Sequence, residues 1–439
     1  MSLIPEQQLN EIKSKVDIVT LIGEQIPLKR AGQNWRGHCP FHQEKTPSFM
    51  VSPEKQIYHC FGCGEGGNLF NFLMKFEGLN FVEAAEKLAD RAGIHLQRQE
   101  GAPRVSGEEK EMLFRINRFA ARVFAQNLQD PEKGKRGQKY LVSRGVLPET
   151  IQKYELGLAL PGYENLAGRL EGKKIPPTYA EKVGLIRQKE NRYYDFFRDR
   201  LIFPIVAASG QVIGFGGRIL EDEPGQAKYI NSSDSMIYNK SESVFGLNLA
   251  KQAIRQQDAV ILVEGYLDQI ILHQAGFENV VAPLGTALTE AQIRTLSRFT
   301  KNFILLLDGD EAGQKACRRA LPLFLKQGIF AKTVVLPPEA DPDSFVREKG
   351  KEALASLLKE AVPLFDSFMQ SVMVGVESNT QGKMKAVQTI FPVLQLLTAG
   401  IEKDLYVQRV ASFLHLSEGE VRKELNLFEK KGATFHPLS

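Results

Sequence analysis

The chain has 439 residues, 43% hydrophobic and 25% charged, with 56 Lys/Arg against 52 Asp/Glu and a formal net charge of +4. That length predicts two to four domains with separate cores. No apolar run approaches the ~18–20 residues that span a bilayer, and the opening Met-Ser-Leu-Ile-Pro-Glu-Gln has neither a basic n-region nor an apolar h-region, which excludes membrane-spanning and secreted classes and leaves a cytoplasmic protein as the expectation.

From the N-terminus, Leu9, Ile12, Val16, Val19 and Leu21 recur at roughly helical spacing and predict one helix over 5–22. A glycine-rich segment from Gly32 to Gly67 follows and holds three of the four cysteines. Cys39, His42, Cys60 and Cys63 form C-x2-H-x17-C-x2-C. Each x2 pair sits on a tight knuckle, C-P-F-H or C-F-G-C, and turns two soft donors toward one point. Clustered cysteines in an unsecreted chain argue for metal, not disulfides. Four such donors close a tetrahedral site with no open position, so one structural zinc ion is expected. Between the knuckles, SFMVSPEKQIYHC alternates as paired strands do, which predicts a zinc ribbon. Trp35, Arg36, Lys45, Phe49, Lys55, Tyr58 and Phe61 surround the site. That mixture of basic and aromatic residues suits single-stranded nucleic acid; the plainer reading makes Phe49 and Phe61 the small core of the ribbon.

Asn68 is placed to cap a helix through Leu69, Phe72, Leu73 and Phe76, and a second helix runs from about Val82 to Ala92. Residues 97–110, QRQEGAPRVSGEEK, lack periodic apolar positions and read as a flexible linker. A helix resumes near Met112 and ends about Leu128. Residues 111–245 carry 21 Lys/Arg against 16 Asp/Glu, a basic surplus where a polyanion can bind. Five cations there lie in short motifs: Arg144 in Y-L-V-S-R-G, Arg200 in D-R-L-I-F-P-I, Arg218 in G-F-G-G-R, Lys228 in A-K-Y-I-N-S and Lys240 in Y-N-K. Template and triphosphate both need such partners, and arginine binds phosphate bidentately. G-F-G-G-R resembles half a dinucleotide fingerprint, but no helical pattern follows it, so a Rossmann reading fails.

Four short apolar runs come next: AVILV (259–263), NVVAP (279–283), NFILLL (302–307) and TVVLP (333–337), separated by amphipathic stretches. That alternation predicts β-α-β units and a parallel sheet. Acids follow three of these runs: Glu264 and Asp268 in V-E-G-Y-L-D, Asp308 and Asp310 in D-G-D, Asp341 and Asp343 in D-P-D-S-F. The carboxyl ends of parallel strands line the ligand crevice, so these carboxylates converge. Divalent cations resolve their repulsion, with Mg²⁺ taking few carboxylates plus phosphate oxygens. Two ions about 4 Å apart activate a hydroxyl and stabilise leaving pyrophosphate. Residues 352–430 read as helical throughout, and Cys317 reads as a small, partly buried helical residue.

The knuckles H-C-P-F-H and Y-H-C-F-G-C-G-E-G-G resemble the zinc-binding domain of bacterial replicative DNA primases. G-F-G-G-R, K-Y-I-N-S, V-E-G-Y-L-D, L-L-L-D-G-D and D-P-D-S-F resemble that family's polymerase core in the same order, over about residues 5–363. The acidic part alone resembles the TOPRIM fold, which topoisomerases share. The resemblance implies an α+β multidomain chain: zinc-binding domain 1–96, linker 97–110, basic subdomain of mixed α/β structure 111–257, TOPRIM-type parallel sheet 258–340, and C-terminal helices 341–439. It implies synthesis of RNA primers from ribonucleoside triphosphates on single-stranded DNA, with Mg²⁺ or Mn²⁺, two or more ions, as catalytic cofactor. Glu264, Asp308 and Asp310 are then the principal metal ligands and catalytic residues, supported by Asp268, Asp341 and Asp343. Arg144, Arg200, Arg218, Lys228, Tyr229, Asn231 and Lys240 bind nucleotide or template. A monomeric core and a replicative helicase partner are also implied, although only 76 residues follow Pro363, a short segment for a helicase-binding domain. A topoisomerase would need a cleavage tyrosine and further large domains. A fused primase–helicase would need a phosphate loop ending Gly-Lys-Ser/Thr, a tripeptide the sequence does not contain. A non-catalytic zinc DNA-binding protein leaves the acids at the strand ends without a use.

Overall fold

The computed structural model describes residues 4–42, 44–77, 79, 81–94, 96, 107–190, 192–221, 225–285, 287–373, 379–397 and 400–430. Its backbone packs as two units, one of residues 1–140, 151–239 and 246–258 and one of residues 141–150, 240–245 and 259–439. The segments 141–150 and 240–245, expected inside a basic subdomain over 111–257, therefore fold with the second unit.

The first unit opens with two helices where the periodicity predicts one. Asp17 accepts a hydrogen bond from the Thr20 N–H at 2.8 Å and starts Ile18–Gly23 as a new helix after Glu6–Lys15. Five antiparallel strands follow in sheet order: Lys29–Ala31, Asn34–Gly37, Phe49–Ser52, Ile57–Cys60 and Gly66–Gly67. Strand alternation turns Phe49, Val51, Tyr58 and Cys60 inward. The Phe49 and Tyr58 rings stack at 5.2 Å, and Phe72 of the Leu69–Glu77 helix meets Tyr58 edge-on at 5.6 Å. The Asn68 side chain accepts from the Phe70 and Asn71 N–H groups, the expected cap. Phe49 is core, but Phe61 is 75% exposed: Cys60 takes the inward position, so the next residue, on the knuckle, faces out.

Helix Gly107–Gln129 begins five residues ahead of Met112, so residues 107–110 belong to it and not to a linker; residues 97–106 of that expected linker lie outside the described residues. The helix packs on four antiparallel strands in the order Tyr229–Asn231, Val212–Ile219, Arg200–Val206 and Gly157–Ala159. Phe124 meets Phe215 edge-on at 5.5 Å. A Cβ at Gly217 would lie 2.7 Å from the Phe197 ring, so this glycine of G-F-G-G-R makes room for a neighbouring aromatic side chain.

The second unit is built on a six-stranded sheet. Its order is Val244–Phe245, Val280–Pro283, Val260–Leu262, Phe303–Leu306, Lys332–Val334 and Val362–Pro363. The four middle strands are parallel and each edge strand is antiparallel. Val362–Pro363 interrupts the helical run expected over 352–430; the remainder is helical, as Leu364–Met373, Thr380–Leu394, Ile401–Leu414 and Glu418–Lys430 among the described residues. Among the described residues no helix is long and apolar enough to cross a membrane.

Candidate functional site

In the first unit Cys39, His42, Cys60 and Cys63 offer ligand atoms that all lie within 4.8 Å of one another, the one such metal-binding group among the described residues. Cys39 Sγ and Cys63 Sγ are 3.9 Å apart, and Cys60 Sγ is 3.7 Å from His42 Nδ1. Tetrahedral zinc with Zn–S near 2.3 Å and Zn–N near 2.0 Å separates sulfurs by about 3.8 Å and sulfur from nitrogen by about 3.6 Å, so the donor set fits zinc. Burial, with neighbouring thiols adding to it, pushes the Cys39 thiol far above its usual range. A cation removes that penalty by making the thiolate the favoured form. Arg36, Lys45, Lys55, His59 and Phe61 are exposed around this module, whereas Tyr58 belongs to the core. Cross-strand register sets Arg36 beside Met50 and Met50 beside His59 on the outer face of the sheet.

The remaining cations of the first unit divide into two kinds. Arg200 is buried, and its guanidinium donates to the carbonyls of Gly217, Ala227 and Lys228 at 3.4, 3.0 and 3.3 Å. It thus ties down the segment that carries Lys228. Arg218 is also buried, stacked over Tyr140 at 4.5 Å and near Tyr229 at 5.6 Å, with a hydrogen bond to the Ile219 carbonyl. Lys228 and Tyr229 are exposed, and Asn231 is half-buried. Motif reading missed a cavity of about 460 Å³ lined by Arg136, Arg187, Arg198, Arg200, Tyr163 and Tyr194 among others. Arg198 lies over the Tyr163 ring at 4.9 Å and Arg187 over Phe196 at 4.5 Å. Tyr194 of N-R-Y-Y-D beside F-R-D-R was the available signal.

In the second unit the acids stand on three neighbouring parallel strands. Glu264 follows Val260–Leu262, and its Oε1 accepts from the Asp308 N–H at 3.4 Å across the strand ends. Asp310 caps helix Glu311–Leu325 through Gly313 N–H at 2.8 Å, Asp341 caps Pro342–Lys359 through Ser344 N–H at 2.6 Å, and Asp268 accepts from Gly265 N–H at 3.1 Å. Each of these three commits one oxygen to a backbone amide and so fixes its carboxylate. The D-G-D turn needs its glycine, since a Cβ on Gly309 would lie 2.1 Å from the Pro337 carbonyl oxygen. Burial, then the charges of Glu264, Asp341 and Asp310, push Asp308 up to about 6. Burial, then Asp308, Asp341 and Asp343, push Asp268 up to about 7. Burial and Asp310 also raise Glu264. Asp308 Oδ1 is buried and has no hydrogen-bond partner among the described residues. Repelling hard oxygens around an orphaned one fit a divalent cation.

Asp343 differs from the other acids. It is fully buried and clamped between two guanidinium groups, accepting from Arg347 Nε at 2.5 Å and paired with Arg144 at 2.9 Å. Arg347 was not singled out by its motif, although its i+4 spacing from Asp343 on the Pro342–Lys359 helix was legible. Lys240 is exposed and runs over Gly285, where a Cβ would meet its Cε at 2.6 Å. Gln292, also missed, donates to the Lys240 and Ser243 carbonyls at 3.2 and 3.0 Å and holds that loop.

Comparison with known proteins follows the same order along the chain. Family models described as a CHC2 zinc finger, the N-terminal domain of the DNA primase catalytic core, a Toprim-like domain and the DnaB-helicase binding domain of primase match residues 4–104, 123–251, 261–346 and 378–419. The last match falls within the 76 residues that had looked short for such a domain. DNA primases of Halalkalibacterium halodurans and Clostridium acetobutylicum are 38% and 40% identical over 96% and 93% of the chain, which spans 71% and 68% of their lengths. The solved zinc-binding and RNA polymerase domains of the Aquifex aeolicus primase are 34% identical, with a TM-score of 0.63, over 96% of this chain and 99% of that one. A DnaG primase catalytic domain solved with single-stranded DNA is 30% identical, with a TM-score of 0.64, over 72% of this chain and all of that one. A zinc module, a basic α/β module, an acidic Toprim sheet and terminal helices, each matched in sequence and in the same order, make this chain a member of the bacterial DNA primase family, enzymes that synthesise RNA primers for replication.

Proposed function

We propose that primer synthesis in this chain proceeds by two-metal nucleotidyl transfer at the Toprim-like sheet, with Glu264, Asp308 and Asp310 as the metal ligands. The observation that carries this reading is the convergence of these acids at adjacent strand ends, with Asp308 raised to about 6 by burial and repulsion. Mg²⁺ or Mn²⁺ held by these acids would lower the pKa of an attacking 3′-hydroxyl and would supply charge to stabilise the departing pyrophosphate. Glu264, half-buried at the same strand end, also helps to take the proton. Asp341 supports from a helix N-cap and Asp268 from the third position of its helix. Asp343, already neutralised by two guanidinium groups, acts instead by orienting Arg144 toward nucleotide or template phosphate. Template-dependent incorporation of ribonucleotides on single-stranded DNA, with each cation in turn, tests the reading; incorporation that survives chelation of divalent metal overturns it.

The first unit supplies surfaces for single-stranded template: the Arg36/His59/Phe61 face of the zinc ribbon, the arginine–tyrosine cavity, and exposed Lys228 with Tyr229. Arg200 and Arg218 position this surface, and Asn231 sits beside it. The division into 1–96, 111–257, 258–340 and 341–439 is kept as a functional one, with helicase contact assigned to the last segment, where the helicase-binding family model matches. Lys228→Ala is expected to flatten the salt dependence of single-stranded DNA binding by about 0.7 in log–log slope, the effect of one lost phosphate contact, with the fold intact. Fluorescence anisotropy titrations at several salt concentrations check this. Arg144→Ala and Asp343→Asn are each expected to raise the KM for ribonucleotide, with a coupling of about 0.5–3 kcal/mol between them and no change in the metal requirement.

A further inference from the structure

The carboxylate of Glu44 lies next to the zinc ligands without being one of them. Its side chain is 9% exposed. Oε1 accepts from the Cys39 N–H at 2.7 Å and the Ser48 N–H at 3.0 Å. Oε2 accepts from the Ser48 hydroxyl and lies 3.3 Å from His42 Nε2. Ser48 Oγ is in turn 3.2 Å from Cys60 Sγ. The other ring nitrogen, Nδ1, lies 3.7 Å from Cys60 Sγ. Gly62 closes the far side, since a Cβ there would meet His42 Nε2 at 2.6 Å and Ser48 Oγ at 2.8 Å. The half-buried imidazole thus has one nitrogen toward the metal position and the other toward a carboxylate.

We propose that Glu44 is the positioning residue of the zinc site: it accepts the Nε2–H of His42, fixes the tautomer that presents the Nδ1 lone pair to zinc, and through its other oxygen anchors the backbone of Cys39. The general reason is that a metal-bound imidazole needs its second N–H satisfied, and that a carboxylate in that place both orients the ring and raises its basicity. Glu44 therefore ties both ligands of the C-P-F-H knuckle, and Ser48 extends the same network to Cys60 on the opposite knuckle. The inference rests on the cluster holding zinc, and it assigns ligation to one named ring nitrogen, which the spacing of the motif leaves open.

Glu44→Gln in the full chain separates this role from loop capping. The amide keeps a carbonyl oxygen for the Cys39 and Ser48 N–H groups but places an NH₂ where His42 and Ser48 donate. Zinc affinity, measured by competition with a chromophoric chelator, is expected to fall about 10–100-fold, the scale of lost partners of metal-bound histidine. At saturating zinc the variant is expected to match the parent in protease resistance. In the cobalt-substituted parent, a hyperfine-shifted, slowly exchanging His42 Nε2–H is expected, and in the variant that proton exchanges rapidly. Ser48→Ala, which leaves the Glu44–His42 contact in place, is expected to lose less affinity than Glu44→Gln. Affinity of Glu44→Gln within about twofold of the parent, ligation through Nε2, or equal losses in both variants would each overturn the assignment. A parent chain that binds no stoichiometric zinc would overturn the zinc reading itself, and this one with it.

Discussion

Asp308→Asn is expected to lower ribonucleotide incorporation by roughly 10²–10³-fold or more, the scale on which loss of one preorganised electrostatic group acts, and at the same time to stabilise the metal-free protein. The two effects have one cause. Asp308 is half-buried among Glu264, Asp341 and Asp310, and its carboxyl is raised from an ordinary 3.8 to about 6. A raised carboxyl binds its proton more tightly in the folded chain than in the unfolded one, so ionising it costs folded-state stability. That cost is absent below about pH 4 and complete above about pH 6. Two units correspond to nearly 3 kcal/mol, and solvent reaching a half-exposed group reduces this to about 1–2 kcal/mol. The thermal midpoint of the variant without divalent metal should therefore exceed the parent's at pH 7.5 and converge with it near pH 4. Added Mg²⁺ should raise the parent's midpoint more than the variant's, because a cation that binds only the folded chain stabilises it by mass action. Single-stranded DNA binding should be unchanged, since the cations assigned to template in the first unit are untouched. Near-normal incorporation, or a variant less stable than the parent at neutral pH without metal, would contradict the metal-site reading.

The second large effect is expected at the zinc module. Cys60→Ser replaces a fully buried thiolate donor with a poor one. Zinc binding in such modules supplies roughly 10–16 kcal/mol of apparent free energy at neutral pH, and it is largely folding free energy. The hydrophobic cluster of this module is joined directly to the metal ligands, because Cys60 shares the inward face with Phe49 and Tyr58. Loss of the metal should therefore loosen residues 5–94 as a unit. Zinc content by atomic absorption should drop below one per chain, and limited proteolysis should cut between Gly32 and Gly67. The Toprim-like sheet, with its own core, should keep its protection. Retained stoichiometric zinc with an unaltered digestion pattern would contradict the assignment.

Legibility in the sequence followed the range of the interactions. The zinc ligands were readable because both pairs are local, two residues apart on a knuckle, and only their meeting is long-range. The gathering of the acids was readable because parallel strands deliver their C-terminal ends to one edge, whatever the details of packing. The buried state of Arg200 was not readable. Its partners are backbone carbonyls of residues 217, 227 and 228, which sequence pattern does not mark. The division of labour among the acids was equally hidden. Asp341 and Asp343 look alike in D-P-D-S-F, yet one caps a helix and the other is neutralised by Arg144 and Arg347. The break in the first helix was in principle visible, since Asp17 is a strong cap residue, but apolar periodicity running across it masked the signal. Phe61 shows the converse: an aromatic residue beside a metal ligand reads as core by composition, while its position after the inward Cys60 turns it outward.

The three strands that end in Glu264, Asp308 and the Asp341 loop are immediate neighbours in the sheet. Their separation is set by backbone hydrogen bonding at about 4.8 Å per strand, and no side chain can alter it. The scaffold therefore behaves as a gauge whose graduations are independent of the loops mounted on it. Apart from Gly309 and the acids themselves, residues after the strands can vary without disturbing the pitch of the anchors, so what is bound can change while the place where charge is held does not. A single-residue insertion within Phe303–Leu306 is a different matter: it would reverse the face of every following side chain in the strand and carry Asp308 off the shared edge. For redesign of this enzyme, the intolerant sites are the ten residues of Val260–Leu262, Phe303–Leu306 and Lys332–Val334, together with Gly309 and the acids that follow the strands.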